Sequence, residues 1–251
     1  MSSSATEVFG YRHLILGVLV VITLLGVMML EPIPQDIRYH DFADKRAFFG
    51  IPNAFDVLSN LPFLLIGIWG SVICARQDLG PMRIAWLIFF VGVALVSAGS
   101  AYYHLSPSNP TLAWDRLPMT IGFMAVFCAL LGERVNVKLG QRLLIPMLVL
   151  GAVSVAHWAW TDDLRLYAWV QFMPLVILPI VLATFARRYS HQWYLLAALF
   201  WYLLAKVTEF LDPQILALTG GAVSGHTLKH LAAAVSCYCV LLMLRKRQPL
   251  S

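Results

Sequence analysis

The sequence predicts an all-α protein, a polytopic membrane helix bundle with a seven-helix core and one extra N-terminal transmembrane helix. Composition comes first. Hydrophobic residues make up 60% of the 251 and charged residues only 12%, with a mean hydropathy of +0.75. An ordinary soluble domain carries about 25% charged residues, so half the charge needed to coat a water-facing surface is missing, and a soluble globular enzyme is excluded. Periodicity adds eight long apolar runs, near 14–30, 57–75, 84–104, 115–132, 143–160, 166–186, 192–211 and 222–244. Each is long enough to cross a bilayer, which takes about 20 apolar residues. Together they use nearly the whole chain and leave no room for a separate soluble domain.

The first run ends in Val27-Met28-Met29-Leu30-Glu31-Pro32, without the small-x-small pattern of a cleaved signal, and is expected to be an uncleaved anchor. Residues 1–35 are thus read as a cytoplasmic tail plus extra helix, and 36–251 as the seven-helix core. The longest connection, about 31–56, is polar. The third run closes on Ser100-Ala101-Tyr102-Tyr103-His104. A turn rich in Ser, Pro and Asn, from Ser106 to Pro110, leads to the fourth, read as opening at Trp114-Asp115-Arg116. Trp158, Trp160, Tyr167 and Trp169 flank the next outer loop as an interfacial aromatic belt. The seventh run carries Lys206, Glu209 and Asp212 at intervals of three, a spacing that predicts a Lys206–Glu209 ion pair. The eighth opens with Gly225-His226-Thr227-Leu228-Lys229-His230, where Lys229 is turned off the histidine face and is expected to snorkel outward. The four cysteines, Cys74, Cys128, Cys237 and Cys239, lie inside apolar runs without metal-site spacing and read as small core residues.

Eight crossings put both termini on one side. The termini and the loops of that side hold eleven Lys and Arg residues, against five on the other, where most of the acids lie. The positive-inside bias makes the termini cytoplasmic and turns the other face to the periplasm or a lumen, with a bacterial inner membrane the expected location. The net charge of +5 is topology and does not mark a nucleic-acid partner.

Ionisable residues within spanning helices are expensive to bury and are default functional candidates. Ser100 and His104 lie four apart on one helical face, as do His226 and His230, and Asp115 opens the intervening helix on the same side. Three neutral imidazoles with one position left open make a catalytic zinc site, in which the metal lowers the pKa of its water to about 7. Asp115 is then the general base and proton carrier, and Ser100 a hydrogen-bond donor to water or oxyanion. Blander readings stand beside this one. Each histidine can be a packed core residue, and the His-x-x-x-His pair can hold another metal. Asp115 can pair with Arg116 or cap its helix, and Ser100 can bond back to its own helix.

The Ser-x-x-x-His motif, the downstream Asp and the terminal His-x-x-x-His, with Asn53-Ala54-Phe55-Asp56-Val57-Leu58-Ser59-Asn60-Leu61-Pro62-Phe63, resemble the alkaline ceramidase family, within a larger group that includes adiponectin-receptor-like proteins. The resemblance runs from about Tyr39 to Leu244. It implies zinc held by His104, His226 and His230, assistance from Ser100 and Asp115, and hydrolysis of the amide of ceramide to a sphingoid base and a fatty acid. The partners implied are a ceramide-like amphiphile and the bilayer. It also implies a calcium-binding acidic segment, whose nearest match is Asp41 and Asp44 with Asn53 and Asp56 beyond, here interrupted by Lys45 and Arg46. A solvated loop with internal ion pairs is the other reading of that segment. A receptor-like or lipid-binding protein with a structural or vestigial zinc site is the alternative to an enzyme, and a transporter built on Lys206 and Glu209 is a third.

Overall fold

The structure, a computed structural model, describes residues 10–250. Most of the expected cytoplasmic tail, residues 1–9, lies outside them. The described residues form α-helices and no strands: α1 (Tyr11–Met28), α2 (Ala54–Leu58), α3 (Leu61–Arg76), α4 (Arg83–Leu105), α5 (Asn109–Arg134), α6 (Val137–Thr161), α7 (Arg165–Thr184), α8 (Trp193–Phe210), α9 (Asp212–Leu218) and α10 (Gly225–Lys246). Among the described residues eight stretches are long and apolar enough to cross a membrane, with α2 and α3 sharing one crossing.

Helix α6 starts at Val137, capped by Asn136, six residues before the run expected from 143, and two further departures bear on the site. Helix α5 begins six residues before Asp115, because Ser108 caps it and Pro110 sits in the first turn, where its missing N–H costs nothing. Asp115 is therefore a second-turn residue and does not cap the helix. The connection after α8 contains a further short helix, α9, with Pro213 in its first turn.

The inner and middle bundle pack around Trp86, Phe90, Met124 and Met243, all nearly or fully buried. A second cluster, Phe42, Tyr103, Leu112, Val155, Trp158 and Tyr167, fills the other end. Over it runs the segment between α1 and α2, which includes a turn of 3-10 helix at Ile37–His40. Leu164 N–H donates to the Ile33 carbonyl at 2.8 Å, Ala43 N–H to Asp212 Oδ2 at 3.0 Å, and Asn53 Nδ2 to the His104 carbonyl at 2.8 Å. The polar connection is thus a fitted cover. Helix α1 lies along α7, where Trp169 Nε1 donates to Thr23 Oγ1 at 3.2 Å. Its remaining apolar side chains, Leu14, Val21 and Ile22 among them, face outward, as lipid contact requires.

Candidate functional site

Three imidazoles meet under the cover. His104 comes from the last turn of α4, and His226 and His230 from the first turns of α10; all three are buried. The ring centroids form a near-equilateral triangle with sides of 4.9, 5.0 and 4.9 Å. One nitrogen from each lies within 4.8 Å of the others, a group that can hold a metal ion. Buried polar atoms are ordinarily hydrogen-bonded. Here both ring nitrogens of His104 and Nε2 of His226 have no partner. His230 Nδ1 lies 2.8 Å from Ser59 Oγ, and that hydroxyl donates its proton to the Asp56 carbonyl at 3.1 Å. Nδ1 of His230 must then carry the proton, which leaves Nε2 as a lone pair. Unpaired, convergent, buried nitrogens fit a transition metal, for which imidazole is a preferred ligand. Phe42 covers the group, its ring 4.6 Å from both His104 and His226.

Beside the triad stand Ser100 and Asp115, both buried and both lining the same cavity as His230. Helices α4 and α5 cross at their level because Gly99 has no side chain: a Cβ there would lie 2.1 Å from the Trp114 carbonyl. That carbonyl has lost its intrahelical donor to Pro118, four residues on. Gly225 does the same for α10, since a Cβ would meet the Thr208 carbonyl at 2.2 Å, and the next residue, His226, donates its N–H to Asp212 Oδ1 at 2.7 Å. Two glycines thus set the depth of the site.

Ser100, Asp115, His230 and Asn60 form the polar end of a cavity of about 230 Å³. The rest of its wall is almost wholly apolar, with Phe63, Val93, Phe123, Leu178 and Leu199 among its residues. From Asp115 to Leu130 on α5 it extends about 22 Å along the bundle at 1.5 Å per residue. It lies between α7 and α8, which are consecutive in the chain yet hardly touch. The ceramidase family model matches residues 50–247, which contain the triad, Ser100, Asp115 and every residue lining this cavity. The chain belongs to the ceramidase family. No curated protein matches it. Membership implies a membrane hydrolase of ceramide-like lipids, and the apolar helices make it a multi-pass membrane protein. Helix α1 falls outside the matched stretch.

In this ceramidase-family chain the expected calcium residues each have other partners. Asp41 pairs with Lys45, and Asp44 pairs with Arg46 at 2.6 Å. Asn53 holds the His104 carbonyl, and Asp56 Oδ1 accepts from Thr227 Oγ1 at 2.7 Å. Lys206 pairs with Glu209 as its spacing predicts. Lys229 departs from expectation: it turns inward, with Nζ 2.6 Å from Glu209 Oε1, because a half-buried carboxylate on α8 is within its reach. Sequence reasoning gave no role to Phe42, nor to Ser59 and Asn60, although these two lie in the run that carries the resemblance. Asn60 Nδ2 donates to the Asp56 carbonyl at 2.8 Å and leaves Oδ1 without a partner at the polar end of the cavity. The Ser59-Asn60 pair sits in an otherwise apolar run, and that polarity was the available signal. Phe42 gave none, since an aromatic in a polar loop is unremarkable by itself.

Proposed function

We propose that this chain is a zinc-dependent integral-membrane amidase that cleaves ceramide or a related N-acyl lipid to a sphingoid base, or another amine, and a fatty acid. The observation that carries the reading is the convergence of three buried imidazoles, His104 and His226 with unpaired ring nitrogens and His230 at the polar end of a long apolar cavity. These three residues would hold the ion. Zinc bound there supplies Lewis acidity, which polarises a carbonyl and makes water more acidic.

The chain's own groups do the rest. Asp115, across the cavity end, accepts a proton from the attacking water and delivers it to the leaving nitrogen. The Ser100 hydroxyl steadies the Asp115 carboxylate and donates to the developing oxyanion. Asn60 Oδ1 is an unspent acceptor for a hydroxyl or N–H of the lipid head. Apolar residues of α4, α5, α7 and α8 take the acyl chain, and the loose α7–α8 seam admits lipid sideways from the bilayer. The catalytic core is 36–251, with 1–35 as tail and anchor. The basic residues favour cytoplasmic termini and a site opening to the periplasm, in a bacterial inner membrane.

Purified protein should contain about one zinc per chain, matching the one three-histidine group among the described residues. Offered a panel of N-acyl and ester amphiphiles read by mass spectrometry, it should release fatty acid from the amides. His226→Ala should lose both metal and turnover. Asp115→Asn should keep metal and fold but lose turnover by about 10²-fold or more; full activity in that variant would overturn the mechanism, and retained zinc without turnover in the wild type would favour the receptor-like alternative.

A further inference from the structure

Lys206 on α8 and Lys229 on α10 share one carboxylate. Glu209 Oε2 pairs with Lys206, while Oε1 is 2.6 Å from Lys229 Nζ and accepts from the Tyr39 hydroxyl at 3.2 Å. Two ammonium groups against one carboxylate leave one positive charge over. The Lys206 side chain is 36% exposed, whereas that of Lys229 is 16% exposed and lines the cavity. Because Lys206 is enough to neutralise Glu209, the surplus charge belongs to the cavity wall. Asp115, Lys229 and His230 are the acidic and basic side chains of that wall, and the charge of Lys229 is felt at Asp115 and at all three triad histidines.

We propose that Lys229 is the anion-holding residue of this cavity, its ammonium receiving the carboxylate of a long-chain fatty acid. The identity of that acid as product rests on the hydrolase reading above. Amide hydrolysis breaks the carbon–nitrogen bond, adds the elements of water, and leaves a carboxylate where a neutral carbonyl was. That new negative charge appears at the polar end of the cavity, beside Asp115, in a wall whose other polar side chains, Asn60, Ser100, Tyr202 and Ser236, offer it no positive charge. An unpaired buried charge is strongly unfavourable, and a fixed opposite charge offsets it. A bound acid is therefore held more tightly than a neutral lipid with the same tail.

The test uses the full chain with its metal in detergent, with palmitic acid and hexadecanol as matched probes and calorimetry as the readout. Wild type should bind the acid about ten-fold more tightly than the alcohol, the scale of one charge-assisted hydrogen bond. Lys229→Met should abolish that ratio and leave alcohol binding unchanged; Glu209 keeps Lys206 and is not orphaned. Lys229→Arg should preserve the ratio. Lys206→Met, on the more exposed partner, should lower it with Lys229 still present, because Glu209 then neutralises Lys229 alone. An acid preference unchanged in both Met variants, at equal metal content, overturns the proposal and assigns the carboxylate to the metal. Hydrolysis measured in parallel separates the two readings: turnover without acid preference sinks only the role of Lys229, and Lys229-dependent acid preference without turnover sinks only the hydrolase.

Discussion

Ser59 Oγ lies 2.8 Å from His230 Nδ1, and its own proton is committed to the Asp56 carbonyl. This fixes the tautomer that turns Nε2 toward the triad. Partners of this kind typically account for about 10- to 100-fold in metal affinity. Ser59→Ala should weaken zinc retention by that order while leaving the fold intact, measured by competition with a graded series of chelators. Equal retention in the variant would show that His230 needs no orienting partner.

The depth of the site depends on Gly99, where an added Cβ would meet the Trp114 carbonyl at 2.1 Å. Backbone cannot move aside as a flexible side chain can, so Gly99→Ala should destabilise the α4–α5 contact by about 3 kcal/mol or more. Gly17 in α1, with nothing within 4 Å of an added Cβ, is the control. Monodisperse protein in detergent should fall sharply for Gly99→Ala and be unchanged for Gly17→Ala, as read by size-exclusion chromatography.

At the junction of α6 and α7, hydrogen bonds from the Arg165 side chain, then from the backbone N–H groups of Arg165 and Ile33, pull the Asp163 carboxyl from 3.8 down to about 2. A carboxyl lowered by folding contributes stability above its unfolded value and loses it as pH falls through the folded one. Wild type should therefore be more stable than Asp163→Asn above about pH 4, with the gap closing toward pH 2. Melting followed by tryptophan fluorescence across that window checks it; a constant gap would mean that Asp163 acts only through packing.

Arg46 grips Asp44 through two nitrogens, at 2.6 and 2.8 Å, and reaches the Ala222 carbonyl at 3.2 Å. The Arg46 hydrogen bonds are the largest cause holding the Asp44 carboxyl below its ordinary value. A cation is thus already in place in the segment where calcium was expected. Calcium at about 1 mM should leave the wild-type melting temperature unchanged and raise that of Arg46→Ala. A clear rise in the wild type would show that the ion displaces Arg46.

Much of the site was legible because its residues violate a local rule. Histidine, serine and aspartate are costly in spanning helices, so His104, His226, His230, Ser100 and Asp115 stood out against apolar neighbours, and helix parity brought them to one side. Lys229 was misread for a related reason. Its helical face was evident, but its partner Glu209 lies on another helix, and a lysine facing lipid and a lysine facing a carboxylate across the bundle look the same in sequence. The onset of α5 was read late because the run was judged by hydropathy, while the cap at Ser108 and Pro110 starts the helix in polar sequence.

By itself the sequence determined the class, the eight candidate spans and the candidate ligands, because hydropathy, helical spacing and the cost of buried charge are properties of short stretches of chain. Only the tertiary structure decided that the 31–53 segment folds back to lay Phe42 on the triad. It alone decided that Ser59 orients His230, and that two lysines, one of them lining the cavity, compete for one carboxylate. Those outcomes depend on which helices touch and at what depth, and that is set by backbone approach at Gly99 and Gly225, between residues far apart in the chain.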